Sequence, residues 1–139
     1  MKLKFLALCA SVFLLFNCKK ETELQVNSSD FVIGYWSEPE MVDSLWRYKR
    51  VSGLSENAYT LALKEDFTVT ERKNAGWCGT PPISYGNYDG TWKRKDSVIR
   101  ISVGYWGGTA DFEWKIISIN DKYLTVYKVK EDYHWENKN

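Results

Sequence analysis

The stretch from Ser97 to Ile119 reads SVIRISVGYWGGTADFEWKIISI and carries the clearest structural signal in the chain. In residues 97–103 apolar β-branched residues alternate with polar ones, and in residues 110–119 aromatic or aliphatic residues alternate with charged ones. A period of two residues is typical of a strand with one buried face. The glycine-rich segment 104–109 lies between the two halves, so the stretch predicts an antiparallel hairpin.

Similar segments, rich in β-branched and aromatic residues, cover most of the chain on both sides of this hairpin. We predict eight strands, at residues 31–37, 45–51, 58–64, 67–72, 88–95, 97–103, 110–119 and 122–130. Most connections are too short for a parallel crossover, which needs a dozen or more residues. The one helical candidate is a single turn that Pro39 would open across residues 39–46.

These features predict an all-β fold. We expect an eight-stranded antiparallel up-and-down meander that closes into a small barrel, because closure removes the two free sheet edges. A two-sheet β-sandwich is the alternative.

Composition limits the function classes. The chain has 139 residues, which suits one domain, and 16% of them are aromatic, far more than a disordered chain carries. The formal net charge is +1, so no basic field attracts nucleic acid. With three cysteines and one histidine, His134, there are few ways to build a metal site or a nucleophile–base pair. We therefore expect neither an enzyme nor a cofactor or metal.

The N-terminal segment predicts the cellular location of the protein. Lys2 and Lys4 precede an apolar run over residues 5–16, whose helix of about 18 Å is too short for a hydrocarbon core of roughly 30 Å. Residues 1–17 therefore indicate a secretory signal peptide. The following Leu15-Phe16-Asn17-Cys18 resembles a bacterial lipobox, although Asn17 is a less usual residue at its position. An ordinary signal peptide with an incidental cysteine is the alternative.

The lipobox resemblance implies that Cys18 is the lipidated N-terminus of the mature protein, held in a membrane by its acyl chains. Lys19, rather than Asp, follows that cysteine, which by resemblance to the Gram-negative sorting rule implies the outer membrane. Residues 18–30 are polar and aperiodic and are interpreted as a flexible tether. Residues 31–139 form the predicted barrel domain.

Three motifs resemble lipocalins. Gly34-Tyr35-Trp36 is similar to the G-x-W signature whose tryptophan closes the base of the barrel. The stretches DGTWK (89–93) and ISINDKYLTV (117–126) are similar to small lipocalin-like domains of Gram-negative lipoproteins. The resemblance covers about residues 31–130. It implies a cell-envelope protein that binds a small hydrophobic or amphipathic ligand, but this chain is shorter than classical lipocalins and has no disulfide partner for Cys78.

The predicted register directs seven aromatic side chains into the barrel, and these are the candidate ligand-binding residues. An eight-stranded barrel holds either its own side chains or one small guest, and with so many rings we favour a mostly filled interior. The seven are Trp46, Tyr48, Tyr59, Phe67, Trp92, Phe112 and Trp114.

Loops offer a second kind of surface. Residues 74–86, NAGWCGTPPISYG, form a long irregular stretch in which Trp77 and Tyr85 supply apolar contacts, either as a lid or as a plug. Within it we expect Cys78 to be a small buried residue rather than a reactive thiol. Trp106, at a predicted hairpin tip, could dock a partner, touch the membrane surface or fold back over the barrel. The alternative function is therefore an envelope interaction or inhibitor module acting through loops on a protein partner.

Overall fold

A computed structural model describes residues 30–136 of the chain. This part contains nine β-strands and no α-helix. The strands are β1 (Gly34–Ser37), β2 (Glu40–Val42), β3 (Leu45–Val51), β4 (Thr60–Leu63), β5 (Thr68–Asn74), β6 (Tyr85–Lys95), β7 (Val98–Tyr105), β8 (Gly108–Ile119) and β9 (Tyr123–Trp135).

Eight of these strands close into an antiparallel barrel. The order around the barrel is β1-β4-β5-β6-β7-β8-β9-β3, and β1 pairs with β3 to complete the ring. The ninth strand, the short β2, pairs with the first residues of β3. The predicted all-β antiparallel barrel is confirmed.

The strand order is that of a meander from β4 to β9, but it differs at the start. There β1 lies between β3 and β4, and β3 pairs directly with β9. The segment 52–59 must therefore cross β1, and it does so on the outside of the wall. Its Ser55 N–H donates to Thr60 Oγ1 at 3.1 Å, which buries the outward-facing Thr60.

The helical turn predicted for residues 39–46 is wrong. In its place β2 pairs with the first residues of β3, and Asp43 and Ser44 connect them. Both connecting residues have positive φ, 49° and 65°, as in the two-residue turns whose twist matches that of paired strands. The chain therefore continues as a β-hairpin where Pro39 had indicated a helix.

Strand lengths divide the barrel into two unlike ends. β1 and β4 have four residues each, whereas β6, β8 and β9 have 11, 12 and 13. β3 pairs with β9 only as far as Val126, and the rest of β9 pairs with β8 alone. The wall is complete around the closed end, where β1 begins. At the open end β5 to β9 extend beyond the other strands.

Trp36 and Arg50 cover the closed end. Trp36 is fully buried, and its Nε1 donates to Val32 O at 2.9 Å. The Arg50 guanidinium lies 4.2 Å from the centre of the Trp36 ring system. It donates to Ile33 O and Asp121 O, both at 2.8 Å, and also to Phe31 O. One side chain thus joins the entry of the chain to the turn before β9.

Gly34 makes this arrangement possible. Its φ is +142°, a conformation that side-chain-bearing residues rarely adopt, and a Cβ there would lie 2.1 Å from Arg50 Nη1. The glycine of the G-x-W motif therefore provides the space that the guanidinium occupies beside Trp36.

The core is one contiguous cluster inside the barrel, and its large rings fill the closed end and the middle. Its buried members are Val32, Trp36, Tyr48, Leu61, Leu63, Val69, Trp92, Ile99, Ile101, Val103, Tyr105, Ala110, Phe112, Trp114, Leu124 and Val126.

Replacement of Arg50 by Lys should destabilise the barrel by about 1–3 kcal/mol, because Lys keeps the charge but loses the planar fork that reaches several carbonyls and covers Trp36. The free energy of unfolding from urea denaturation measures the effect. Lys49→Ala, at an exposed and outward-facing neighbour, should change stability by less than about 0.5 kcal/mol. Equal stability of Arg50→Lys and the wild type would contradict the role given to Arg50.

Candidate ligand-binding site at the open end of the barrel

The inner surface of the barrel is accessible at its open end. Glu131 and Tyr133 lie on the inward face of β9, opposite the core residues Phe112 and Ala110 of β8. Tyr133 is nevertheless 54% exposed, and Trp135, two residues further on the same face, is 63% exposed. Inward-facing rings are therefore in contact with solvent at this end.

Aromatic, hydroxyl and charged side chains from β3 to β9 meet at this surface, and we call them the open-end cluster. Its members are Trp46, Tyr48, Tyr59, Glu71, Lys73, Tyr88, Tyr105, Phe112, Trp114, Lys128, Glu131 and Tyr133.

The structure brings five of the seven predicted inward residues into this cluster. Trp46 and Tyr59 are partly buried against the core, and Tyr48, Phe112 and Trp114 are buried. The rings of Tyr48 and Trp114 stack with centroids 5.3 Å apart. They form the floor of the open end.

The other two predicted residues lie at the closed end. Trp92 is buried, and its Nε1 donates to Lys64 O at 2.9 Å. Phe67 was expected beside Val69 on the inner face, but it precedes β5 and has φ +63°. Phe67 is 37% exposed at the closed end, and its ring packs against that of Trp92 with centroids 5.6 Å apart.

A buried ion pair lies on the β5 side of the cluster. Glu71 is 5% exposed; its Oε2 bonds to Lys73 Nζ, and its Oε1 accepts a hydrogen bond from Tyr59 Oη at 2.9 Å. The Lys73 ammonium also faces two rings, 5.5 Å from the centroid of Tyr88 and 5.9 Å from that of Phe112. Pairing and hydrogen bonding compensate for the desolvation of this carboxylate.

A second ion pair lies across the open end on β9. Lys128 Nζ is 2.9 Å from Glu131 Oε1. It lies 4.3 Å from the ring centre of Trp46 and 6.0 Å from that of Trp114. An ammonium over aromatic faces gains a favourable electrostatic interaction. Both positive charges of the cluster thus have a carboxylate and two rings as partners.

Burial and nearby carboxylates raise the pKa of three tyrosines of the cluster. Burial, followed by the nearby charge of Glu71, raises the pKa of both Tyr48 and Tyr59 well above its usual value. Burial and the charge of Glu131 also raise the pKa of Tyr133. The open end therefore offers neutral phenol groups and paired charges.

Two buried polar atoms of the cluster have no hydrogen-bond partner among residues 30–136. These are Tyr105 Oη and Trp114 Nε1, on side chains that are 9% and 2% exposed. Buried polar groups are nearly always paired, and an unpaired one costs about 1–3 kcal/mol. By contrast, the buried indoles of Trp36 and Trp92 both donate to backbone carbonyls.

The loop residues lie around and above this end. Trp77 is 80% exposed and does not plug the barrel, and Tyr85 begins β6 opposite Asn74. Trp106 folds back, with its ring 4.9 Å from that of Trp135. The expectation that Cys78 is buried is wrong, because it lies on the exposed loop. Hydrogen bonds from Thr80 lower the pKa of its thiol.

Sequence reasoning missed the β9 side of the cluster. β9 was expected to end at residue 130, whereas it continues to Trp135. A bulge at Val129 shifts the register between β9 and β8 by one residue. Before the bulge Val126 and Lys128 face inward, and after it Glu131 and Tyr133 do. A strict period of two would place Tyr133 outside. The aromatic residues Tyr133 and Trp135 near the C-terminus were the sequence signal that could have indicated the longer strand.

The lone histidine lies on the outer wall. His134 Nε2 is 3.0 Å from Asp111 Oδ2, and the hydroxyl of Ser102 also bonds to Asp111. The Ser102 bond, followed by that of His134, lowers the pKa of the Asp111 carboxyl. Within residues 30–136 no His, Cys, Asp and Glu side chains group as metal ligands would.

Alkaline pH should destabilise the protein through Tyr48 and Tyr59. Their folded-state pKa values exceed the unfolded value of about 10, so their contribution is fully present below that pH and is lost as pH rises through the folded-state values. We expect phenolate absorbance of at least these two tyrosines to appear only with unfolding. Tyr59→Phe should reduce the alkaline loss of stability; Tyr127→Phe, at a 52% exposed outer position, should not. Full ionisation of the native protein would contradict this.

The lipidation and signal-peptide predictions, including Cys18, fall outside the described residues. Residues 30–136 contain no helix long and apolar enough to span a membrane. Comparisons with protein-family models, curated proteins and solved structures found no match to this chain.

Proposed function

We propose that the protein is a lipid-anchored, lipocalin-like protein of the bacterial cell envelope that binds a small amphipathic molecule at the open end of its barrel. The observation that carries the proposal is the open-end cluster itself. Inward-facing rings are exposed to solvent there, and Tyr105, whose ring packs against them, has a buried hydroxyl with no partner among the described residues. Ligand sites are typically concave, mostly apolar and equipped with a few polar groups.

The packing of the interior sets the size of this ligand. Below the stacked rings of Tyr48 and Trp114 the barrel is occupied by Trp36, Trp92 and aliphatic side chains that are at most 2% exposed. A long acyl chain inserted along the barrel axis would have to displace these rings. The proposed ligand is therefore short and lies across the open end.

The position of the chain entry agrees with a tethered binding protein. Asp30, the first described residue, lies at the closed end, where its two carboxylate oxygens accept hydrogen bonds from Arg94 Nη1 at 2.7 and 2.9 Å. A lipid anchor at Cys18 would hold the barrel by this end. The binding surface is at the other end, accessible to a ligand in the aqueous phase.

Ligand binding can be measured with phenylnaphthylamine, an uncharged apolar fluorophore whose emission rises in apolar surroundings. We expect saturable binding, weakened about tenfold by Tyr133→Ala, because the loss of one aromatic contact costs on the order of 1 kcal/mol. Native mass spectrometry of protein purified from cells should show a bound small molecule.

Tyr127→Ala is the matched control. Tyr127 and Tyr133 lie on the same strand and are 52% and 54% exposed, but Tyr127 faces outward. The control should bind the probe as the wild type does. The proposal fails if the wild type does not bind the probe, or if the two alanine variants weaken binding equally.

A second candidate function is an interaction or inhibitor module that recognises an envelope protein through its loops. The supporting observation is Trp77, which is 80% exposed on the loop between β5 and β6. Trp77→Ala should abolish capture of such a partner without altering probe binding. Loss of partner capture in Trp77→Ala together with intact probe binding would favour this second function.

Anchoring through Cys18 has its own test. In cells, Cys18→Ser should move the protein from the membrane fraction to the soluble or secreted fraction, because the acyl chains attach to that thiol. Cys78→Ser, which changes the exposed cysteine of the barrel, is the control and should stay in the membrane fraction. Continued detergent-phase partitioning of the Cys18→Ser variant would rule out this anchor.

A further inference from the structure

If the open end binds a ligand, as proposed above, the ion pairs already formed there indicate the charge of that ligand. Lys73 is paired with Glu71, and Lys128 with Glu131. The side chains of Glu71, Lys73 and Lys128 are only 7%, 18% and 19% exposed. An ionic ligand would therefore have to compete with a partner that is built into the fold.

The groups without partners are uncharged. The indole N–H of Trp114 can only donate a hydrogen bond, whereas the Tyr105 hydroxyl can donate or accept. Both side chains face inward, from the neighbouring strands β8 and β7, alongside Phe112 and Ala110. What they lack is a neutral acceptor, such as a hydroxyl, ether, ester or amide oxygen.

Tyr105 lies where a ligand at the open end would reach it. Its ring packs edge-on against Tyr133 at 5.3 Å and against Trp135 at 5.7 Å. Both of these rings are more than half exposed. The ring that carries the unpaired hydroxyl thus packs directly against the accessible aromatic rings.

We propose that the ligand is an uncharged amphiphile, with a polar head that brings an oxygen acceptor to Tyr105 and a short apolar part that packs on the exposed rings. Internal ion pairing makes the site selective against ions, because an anion would have to draw Lys73 away from the buried Glu71, and a cation would have to draw a carboxylate away from Lys73 or Lys128, which are 18% and 19% exposed. Fatty acids and alkylammonium ions are therefore poor ligands, and neutral glycosides, esters or amides are good ones.

The test uses three probes with the same eight-carbon chain, below their micelle concentrations: octyl glucoside, octanoate and octyltrimethylammonium. Each competes with phenylnaphthylamine for the full-length mature protein. We expect octyl glucoside to bind at least about tenfold more tightly than either ion, which is the cost of about one unmade hydrogen bond to a buried group. Tighter binding of either ion overturns the inference.

Tyr105→Phe removes only the unpaired hydroxyl. It should weaken octyl glucoside binding about five- to tenfold and leave the weak binding of the two ions unchanged. The urea midpoint should not fall, because the hydroxyl has no partner among residues 30–136 and its removal breaks no hydrogen bond. Tyr127→Phe, which removes a hydroxyl from the outer face, should change none of these values. Unchanged glucoside affinity in Tyr105→Phe also overturns the inference.

The probe experiment distinguishes a failure of the proposed function from a failure of the neutral-ligand inference. If phenylnaphthylamine and all three octyl probes fail to bind, the proposed function is wrong and the inference fails with it. If the probes bind but an ion is preferred, the open end is a ligand site and only the neutral-ligand inference is wrong.

Discussion

The contact between Arg50 and Trp36 is the interaction on which the rest of the barrel depends. The guanidinium covers the indole at 4.2 Å and bonds to carbonyls from the chain entry and from the turn before β9. It therefore joins the first and last hairpins, the two parts of the chain that must meet for a sheet to become a barrel. A planar group with five donors is suited to this place, because it can stack and bond to several acceptors at once.

Once the closed end is formed, unequal strand lengths determine the shape of the other end. β1 and β4 stop after four residues, whereas β9 runs for 13. The long strands carry their inward faces beyond the wall, where Tyr133 and Trp135 are exposed. The protein thus combines a packed core with an end at which inward-facing rings are exposed, and the proposed binding surface lies on the parts of these strands that the core does not use.

The chemistry at the open end follows from burial of paired groups. Charged side chains inside a barrel are costly unless each finds a partner, and Glu71 finds both Lys73 and Tyr59. The same low-dielectric surroundings hold the phenols of Tyr48 and Tyr59 neutral. The groups that remain unpaired are neutral, and for this reason the proposed ligand is uncharged.

Much of the barrel could be predicted because its strands alternate strictly and its turns are short. Trp46, Tyr48 and Trp114 were placed inside on that basis, correctly. Prediction failed where the alternation is interrupted by the bulge near Val129. It also failed at Asp43 and Ser44, where a tight turn replaced the expected helical one.

By itself the sequence determined the class of fold, the antiparallel pairing and most of the rings that face inward, because these depend on local periodicity and loop length. The tertiary structure alone decided that β1 separates β3 from β4, that Arg50 covers Trp36, and that Glu71, Lys73, Lys128 and Glu131 meet as two ion pairs. These outcomes depend on which distant strands become neighbours and on their register. Neither is encoded in any single segment.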